Sequence, residues 1–511
     1  MRKLFPLALM AAACGSEEAF IVVTIDTQPA VHDVSELTVT LSNDGTSRED
    51  KFAVTSQSFP ATFSISAPGR TGTLGIAISA RDDQGILVGS GLVETALETP
   101  TARVLLDSAD FVVNTDFAEE QFPSDDFESH GFQISATPDG TWTVVYRDRC
   151  LQPCNMFARR FDPTGRPVES QLAAGTNGFV ISSDVTLGGA VPAVATGGSA
   201  TVAVWDFSEP APSTIDGIAC RALDANGAAS GPQVNVSLET LPDVVSVSAL
   251  SNNTFAVSWN GFATENNIKG AIVSAQCQPS NVVQVSTNVG VGGGPSRGAV
   301  ATNGDRIMYA WILDGEVRAR IAGPANAFLT GDIPIVAKTP TEAIEFVRVA
   351  PLGAGFGIVV RWALITGSSG PGRLELYRTN NGGALQGSPV LVTTRSGTDF
   401  ASSESFGVAR STKDDLLVVW HACAENGDPD SSCGVFGRLM SSAGAPVGEE
   451  FSLATTTDRD QTNPSAVALP DGAFAATWMD TSNQAPDKSG SAVRARIIYP
   501  SVTQPGSSSA R

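Results

Sequence analysis

Histidine is nearly absent from this 511-residue chain: His32, His130 and His421 are the three copies, and they are scattered. Imidazole-based zinc sites and Ser-His-Asp relays need more histidine than this, so little material exists for either. Basic residues are also few, 32 against 53 acids, for a formal charge of -21. A surface that neutralises phosphate needs the opposite balance, which excludes nucleic acid as a partner. Long apolar runs are missing too: no stretch past the N-terminus approaches the 18 or so consecutive apolar residues of a spanning helix. Paired CxxC knuckles and DxDxDG calcium loops do not occur, so no metal or cofactor is expected.

What is present is turn-forming and strand-forming material. The chain carries 50 glycines and 30 prolines beside 42% hydrophobic residues, enough apolar mass for sizeable cores and enough turns to cut it into short strands. An all-β fold follows.

Residues 1–14 run from a basic start, Met1-Arg2-Lys3, through the apolar Leu4 to Met10, to Ala11, Ala12, Ala13 and Cys14. This pattern is a secretory signal, too short to span a bilayer. Small residues directly before a cysteine resemble the lipobox of bacterial lipoproteins, with Ala11 where that family usually carries Leu. The resemblance implies that Cys14 receives a diacylglycerol and that a lipid anchor is the only membrane contact. Gly15 and Ser16 in place of an acid imply sorting to the outer membrane or cell surface. Six cysteines remain. In an exported chain they read as potential disulfides, with Cys150–Cys154 and Cys423–Cys433 as the local pairs and Cys220 and Cys277 left undecided.

Residues 19–107 hold seven short strand patterns, Phe20 to Ile25, Leu37 to Leu41, Lys51 to Thr55, Thr62 to Ile65, Leu74 to Ala80, Ile86 to Val93 and Ala102 to Leu106. Asn43-Asp44-Gly45 and Asp82 to Gly85 supply hairpin turns. Seven strands in under a hundred residues predict an immunoglobulin-like β-sandwich, without the Cys-Trp-Cys core of that family.

From residue 110 the pattern repeats. Short strands end in Tyr146, Trp205, Trp259, Trp311, Trp362, Trp420 and Trp478, at intervals of 59, 54, 52, 51, 58 and 58 by subtraction. Six of the seven tryptophans take this one position. A small-residue strand and a tight turn precede the aromatic, as at Pro138-Asp139-Gly140 and Pro470-Asp471-Gly472; a third and a fourth strand follow. Four strands per repeat predict a seven-bladed β-propeller over 110–500. The segment resembles secreted bacterial propellers with a Pro-Asp-Gly turn and a strand-ending Trp, a resemblance specific for fold and silent on activity. The last repeat stops after its third strand, and residues 110–114 resemble a fourth strand, so they are expected to close the ring. Residues 501–511 read as a disordered tail.

Ligands are expected on loops just past each aromatic, where Asp148, Asp206, Asn260, Asp314 and Asp480 recur as candidate binding residues. The arginines on the third strands, Arg160, Arg221, Arg320, Arg378, Arg438 and Arg496, are expected to alternate outward toward solvent. Thr137 to Trp142 approaches the Ser-x-Asp-x-Gly-x-Thr-Trp box of sialidases but lacks the residue between Asp and Gly. With no catalytic residues assigned, the sequence points to a non-enzymatic binding or scaffold lipoprotein, its partner an envelope protein or glycan. A propeller-fold carbohydrate-active enzyme, glycosidase or lyase, is the alternative.

Overall fold

A computed structural model describes residues 20–55, 58–114, 133–147, 155–168, 178–182, 192–208, 215–238, 242–261, 267–287, 296–364, 372–393, 406–423, 433–484 and 490–500. Cys14, Asp148, Cys150, Cys154 and the 501–511 tail lie outside these residues. The chain divides into two units, Met1–Ser108 and Ala109–Arg511.

The first unit is all-β. Its strands alternate in burial, as in Thr73–Arg81, where Leu74, Ile76, Ile78 and Ala80 point inward and their neighbours outward. The strand order is Thr46–Ala53, Glu36–Asn43, Thr73–Arg81, Leu87–Ala96, Thr101–Ser108, Phe20–Thr27, Ala61–Ser66. This is one continuous sheet curled into a half-barrel, where the sequence predicted two facing sheets. The physical reason is Thr101–Ser108: its last residues pair with the fourth strand in this order (Gly89↔Ser108), while most of its length pairs in parallel with Phe20–Thr27. One strand thus joins the two halves of a single sheet. Ile21, Val23, Ile25, Val39, Ile76 and Leu106 form the enclosed core.

The second unit is a seven-bladed β-propeller. Each blade is a four-stranded antiparallel sheet. The innermost strands are Gln133–Ala136, Ala193–Gly197, Pro242–Ala249, Ser296–Asn303, Glu342–Leu352, Phe406–Arg410 and Gln461–Ala468, for blades one to seven. Each neighbours the next, and the seventh meets the first, so the ring closes. Phe111–Val112 supplies the fourth strand of blade seven, pairing Val112 with Arg494 and Phe111 with Ala495. Phe111 also packs toward Trp142 and Phe161 of blade one, at 6.2 and 5.7 Å between ring centres. A Cβ on Gly165 would sit 2.9 Å from the Phe111 ring, and Gly165 has φ +88°, so glycine is required there twice over.

Trp205, Trp259, Trp311, Trp362, Trp420 and Trp478 lie on second strands and are at most 2% exposed. They fill the wedges between blades: Trp259 packs with blade-two residues Val202 and Val204, and Trp362 with blade-four residues Met308 and Ala310.

Of Arg160, Arg221, Arg320, Arg378, Arg438 and Arg496, all but Arg378 bond within the ring instead of facing solvent, and for those five that expectation is corrected. Arg221 donates to the carbonyl of Ile181 at 2.8 Å, Arg320 to Val285 at 2.8 Å, Arg438 to Val392 at 2.9 Å and Arg496 to Leu453 at 3.0 Å. In each case the acceptor is the residue just past the fourth strand of the preceding blade. Blade one uses Arg159, which donates to Val113. Arg160 is also buried, bonding the Thr141 hydroxyl at 2.9 Å and the Asp224 carbonyl at 3.2 Å. The cause is geometric: an outer-strand side chain facing a neighbouring blade reaches carbonyls left unpaired where that blade's last strand ends. Blade five carries Glu375 at the corresponding position and blade three Ala271. There the Cys220–Cys277 disulfide, Cα–Cα 5.6 Å, joins blades two and three instead. Cys423–Cys433 is a second disulfide, across the second and third strands of blade six.

Candidate functional site

A cavity of about 390 Å³ runs along the ring's axis, lined by all seven innermost strands. Its lining ranges from Asn463 near the start of one such strand to Ala468 at its end, so it follows the channel rather than one rim. Ser246 and Ser248 face it but are tied into the wall, accepting from Val300 N at 3.2 Å and Thr302 N at 3.1 Å.

The backbone at the channel mouth is bulged. In blades three, four and seven the ladder between first and second strands shifts register at the same place, and the residue there has positive φ: Val244 at 50°, Arg297 at 58° and Asn463 at 56°. For a β-branched valine this is a true outlier. Bulges re-aim side chains at rims, and such strain collects where a protein holds a ligand or does chemistry. Asn260 explains the bulge of blade four. Its Oδ1 accepts from Gly298 N at 3.1 Å, directly beside Arg297. A Cβ at Gly298 would meet that oxygen at 3.2 Å, so a larger residue would push this anchor away.

Arg297 reaches from blade four to blade five, its guanidinium 4.5 Å from the centre of the Phe346 ring. Arg361, on the second strand of blade five, approaches the same ring at 5.7 Å and pairs with Glu345 at 3.4 Å. Deeper in the channel, Arg348 of blade five stands 5.8 Å from the Phe406 ring of blade six and donates to the Val347 carbonyl at 3.2 Å. Arg348 and Phe406 both line the cavity. Cation–π contact and the backbone acceptor together fix the guanidinium's direction. The other charged lining residue is Arg410, which is held by Asp414 at 2.6 Å. Among the described residues no Asp or Glu lines the cavity.

The nearby acids of blade five are engaged. Arg373 bonds Glu342 and, at 2.9 Å, Glu375, while Tyr377 donates to Glu375 at 2.7 Å. Burial pushes the Tyr377 hydroxyl up, and its bond to Glu375 adds to that. Tyr309 is likewise raised by burial, with its hydroxyl on Asn326 at 2.7 Å. Neither phenol is placed to act as a base near neutral pH.

The sequence-predicted binding residues do not form one rim. Asp206 and Asn260 are buried at second-strand ends, and Asn260 serves the bulge just described. Asp314 is exposed in the Asp314-Gly315 turn, where both residues have positive φ, 55° and 79°, as a two-residue hairpin loop requires. Asp480 is 1% exposed and accepts from Arg494 at 2.7 Å. The same guanidinium reaches Asp110 at 2.9 Å, and Asp110 in turn accepts from the backbone N–H groups of Thr455 and Thr456 at 2.7 and 2.8 Å. This buried trio ties the closing strand to blades six and seven. His421 is buried on blade six, beside Trp420. Among the described residues, no group of three or more His, Cys, Asp or Glu is placed to hold a metal ion. No helix there is long and apolar enough to cross a membrane.

Sequence reasoning missed Arg297, Phe346, Arg348 and Phe406. They come from three different blades, and no local spacing links them.

No family model matches the chain, and no curated protein matches it. Solved structures do. An ulvan lyase, a polysaccharide lyase, has 10% identity and TM-score 0.46, covering 77% of this chain and 96% of that one. The α-L-arabinofuranosidase of Fusarium graminearum has 12% identity and TM-score 0.41, covering 78% and 99%. The α-L-arabinanase of Penicillium chrysogenum has 10% identity and TM-score 0.40, covering 76% and 98%. At these identities the likeness is one of fold. Several of the similar structures, though not all, are carbohydrate-active enzymes, which runs against the expectations of a non-enzymatic scaffold and of a chain that is not an enzyme, while the likeness itself is one of fold.

Proposed function

We propose that the chain is a propeller-fold carbohydrate-active enzyme, glycosidase or lyase, that takes a saccharide into its central channel. The observation that carries this reading is the Arg348–Phe406 pair in the wall of a cavity of about 390 Å³. A directed guanidinium bonds sugar oxygens, while Phe406, 3% exposed in the core between blades five and six, backs it from behind. Strained bulges at the mouth add to it, since a rigid ring can hold such backbone in place. The purified chain, incubated with a panel of neutral and acidic polysaccharides, should release reducing ends or unsaturated products from at least one. Arg348→Ala should lower that rate. No product from any polysaccharide would refute the reading.

We also infer a lipid anchor at Cys14 that holds the chain at a bacterial outer membrane, with the N-terminal all-β unit, read as immunoglobulin-like, as its stalk. The Ala13-Cys14 junction and the apolar run before it support this. Mass spectrometry of the chain from membrane fractions should find a diacylglyceryl group on Cys14. Recovery of Cys14→Ser in those fractions would refute it.

A further inference from the structure

We propose that the edge strand Ala61–Ser66 of the N-terminal unit pairs with the same strand of a second copy of this chain. The sheet of that unit has two edges, Thr46–Ala53 and Ala61–Ser66. An edge invites pairing with another chain unless charge, proline or a bulge blocks it. The first edge is blocked, because Arg48, Glu49, Asp50 and Lys51 follow one another along it. The second is open. Its six residues, Ala-Thr-Phe-Ser-Ile-Ser, carry no charge and no proline, and they pair with Phe20–Thr27 in unbroken register from Phe20↔Ser66 to Ile25↔Ala61. Along its other side no backbone bond is made among the described residues. Phe63 turns to the core side and stacks on Phe52 of the other edge strand, ring centres 6.2 Å apart, with no ladder between the two edges. On the outer face the neighbours are uncharged as well: Phe20, 49% exposed, lies beside Ser66, and Val22, 42% exposed, beside Ser64. The strand also matches itself. Set antiparallel about a two-fold axis at Ser64, its exposed face puts Ser64 against Ser64 and Thr62 against Ser66 of the second copy, hydroxyl to hydroxyl, while its core face puts Phe63 against Ile65. A shift of one residue would turn one copy's core face outward, and centring on Phe63 would bring Pro60, which has no N–H, into the ladder. Copies of a chain with 53 acids against 32 bases repel each other over most surfaces, so an uncharged strand that complements itself is where two can meet.

Sedimentation equilibrium of the purified chain at about 1 to 100 μM should show a monomer–dimer equilibrium, since one strand pair is a small interface. Ser64→Lys sets two cations against each other at the axis and should weaken the dimer about tenfold or more, while Ser47→Lys on the charged edge should leave it unchanged. Both serines are exposed, and an unchanged melting temperature of each variant keeps folding out of the comparison. Ser64→Cys meets itself across the axis and should give a covalent dimer under mild oxidation. Thr62→Cys, which faces Ser66 of the second copy, should not do so until Ser66→Cys is added. A chain that stays monomeric over the whole range would overturn the inference, and that is the result expected if the edge serves a strand of some other protein. A dimer that Ser64→Lys leaves intact, or that Ser64→Cys links no more than Thr62→Cys does, would overturn it too.

Discussion

Replacing Arg494 by Ala tests whether the ring is locked by its buried ion network. Arg494 is 4% exposed at its side chain, and Asp110 and Asp480 are 1%. Removing the cation leaves two carboxylates without their shared charge, and breaking a buried pair this way costs about 3–5 kcal/mol. Some of the loss is softened, because Asp110 keeps the N–H groups of Thr455 and Thr456 and Asp480 keeps Gln461 and Ser482. We expect about 4 kcal/mol. Arg496→Ala, which removes bonds to the carbonyls of Ser452 and Leu453, sets the comparison at about 1–2 kcal/mol. Guanidinium unfolding followed by tryptophan fluorescence is the assay. All seven tryptophans lie between residues 142 and 478, so the signal reports the propeller alone. Adding Asp110→Asn and Asp480→Asn to Arg494→Ala should recover at least half the loss, since the three groups then carry no charge. An Arg494→Ala variant as stable as Arg496→Ala, or a triple variant worse than the single, would refute the electrostatic account.

Trp205→Ala, which empties a wedge between blades one and two, should cost about 3–5 kcal/mol in the same assay. Cys220→Ser with Cys277→Ser opens a loop of 57 residues; the chain-entropy relation gives about 4 kcal/mol, read as a shift of the denaturant midpoint between oxidised and double-variant chains. Asp139 in the Pro-Asp-Gly turn of blade one accepts from the Thr137 hydroxyl and from the N–H and hydroxyl of Thr141, which pull its carboxyl down to about 2. Its folded value lies below the unfolded one near 3.8, so its contribution is complete above about pH 4 and is lost as pH falls through about 2. An NMR titration placing the Asp139 midpoint near 3.8 would count against the turn geometry.

Much of the fold was legible because propeller repeats are written locally. The strand-ending aromatics from Tyr146 to Trp478 mark each second strand, since one bulky ring per wedge is needed. The curl of the N-terminal sheet was not legible, because it depends on how Thr101–Ser108 is shared between two partners. Alternation along that strand does not encode the sharing: Val104 and Leu106 face inward under either arrangement. The arginine contacts between blades left a trace that spacing alone had concealed. Val113-Asn114, Ile181-Ser182, Val285-Ser286 and Val392-Thr393 each put a carbonyl under an arginine of the next blade. The following side chain accepts from the third strand of its own blade, as Ser182 does from Met156 N at 3.1 Å. In blade one that pattern selects Arg159 over the neighbouring Arg160. The channel pair was beyond reach, because Arg348 and Phe406 meet only through the register of two blades.

Charge in this chain is sorted by depth. Among the described residues Arg147, Arg159, Arg160, Arg361, Arg438 and Arg494 are buried, against Asp110, Asp206 and Asp480 as the buried acids. Six cations against three anions reverse the balance of the whole sequence, so the solvent-facing side is more acidic than the net charge suggests. Carbonyl groups make this tolerable. The interior arginines of the blade contacts bond to backbone oxygens where fourth strands end, groups that would otherwise lack donors and that stabilise a cation without a counter-charge. Blade five departs from this pattern: its corresponding residue is Glu375, held by Arg373 and Tyr377 instead of by a neighbouring blade's carbonyl. In the five blades where a third-strand side chain lies under such a carbonyl, arginine is the residue that supplies the donor.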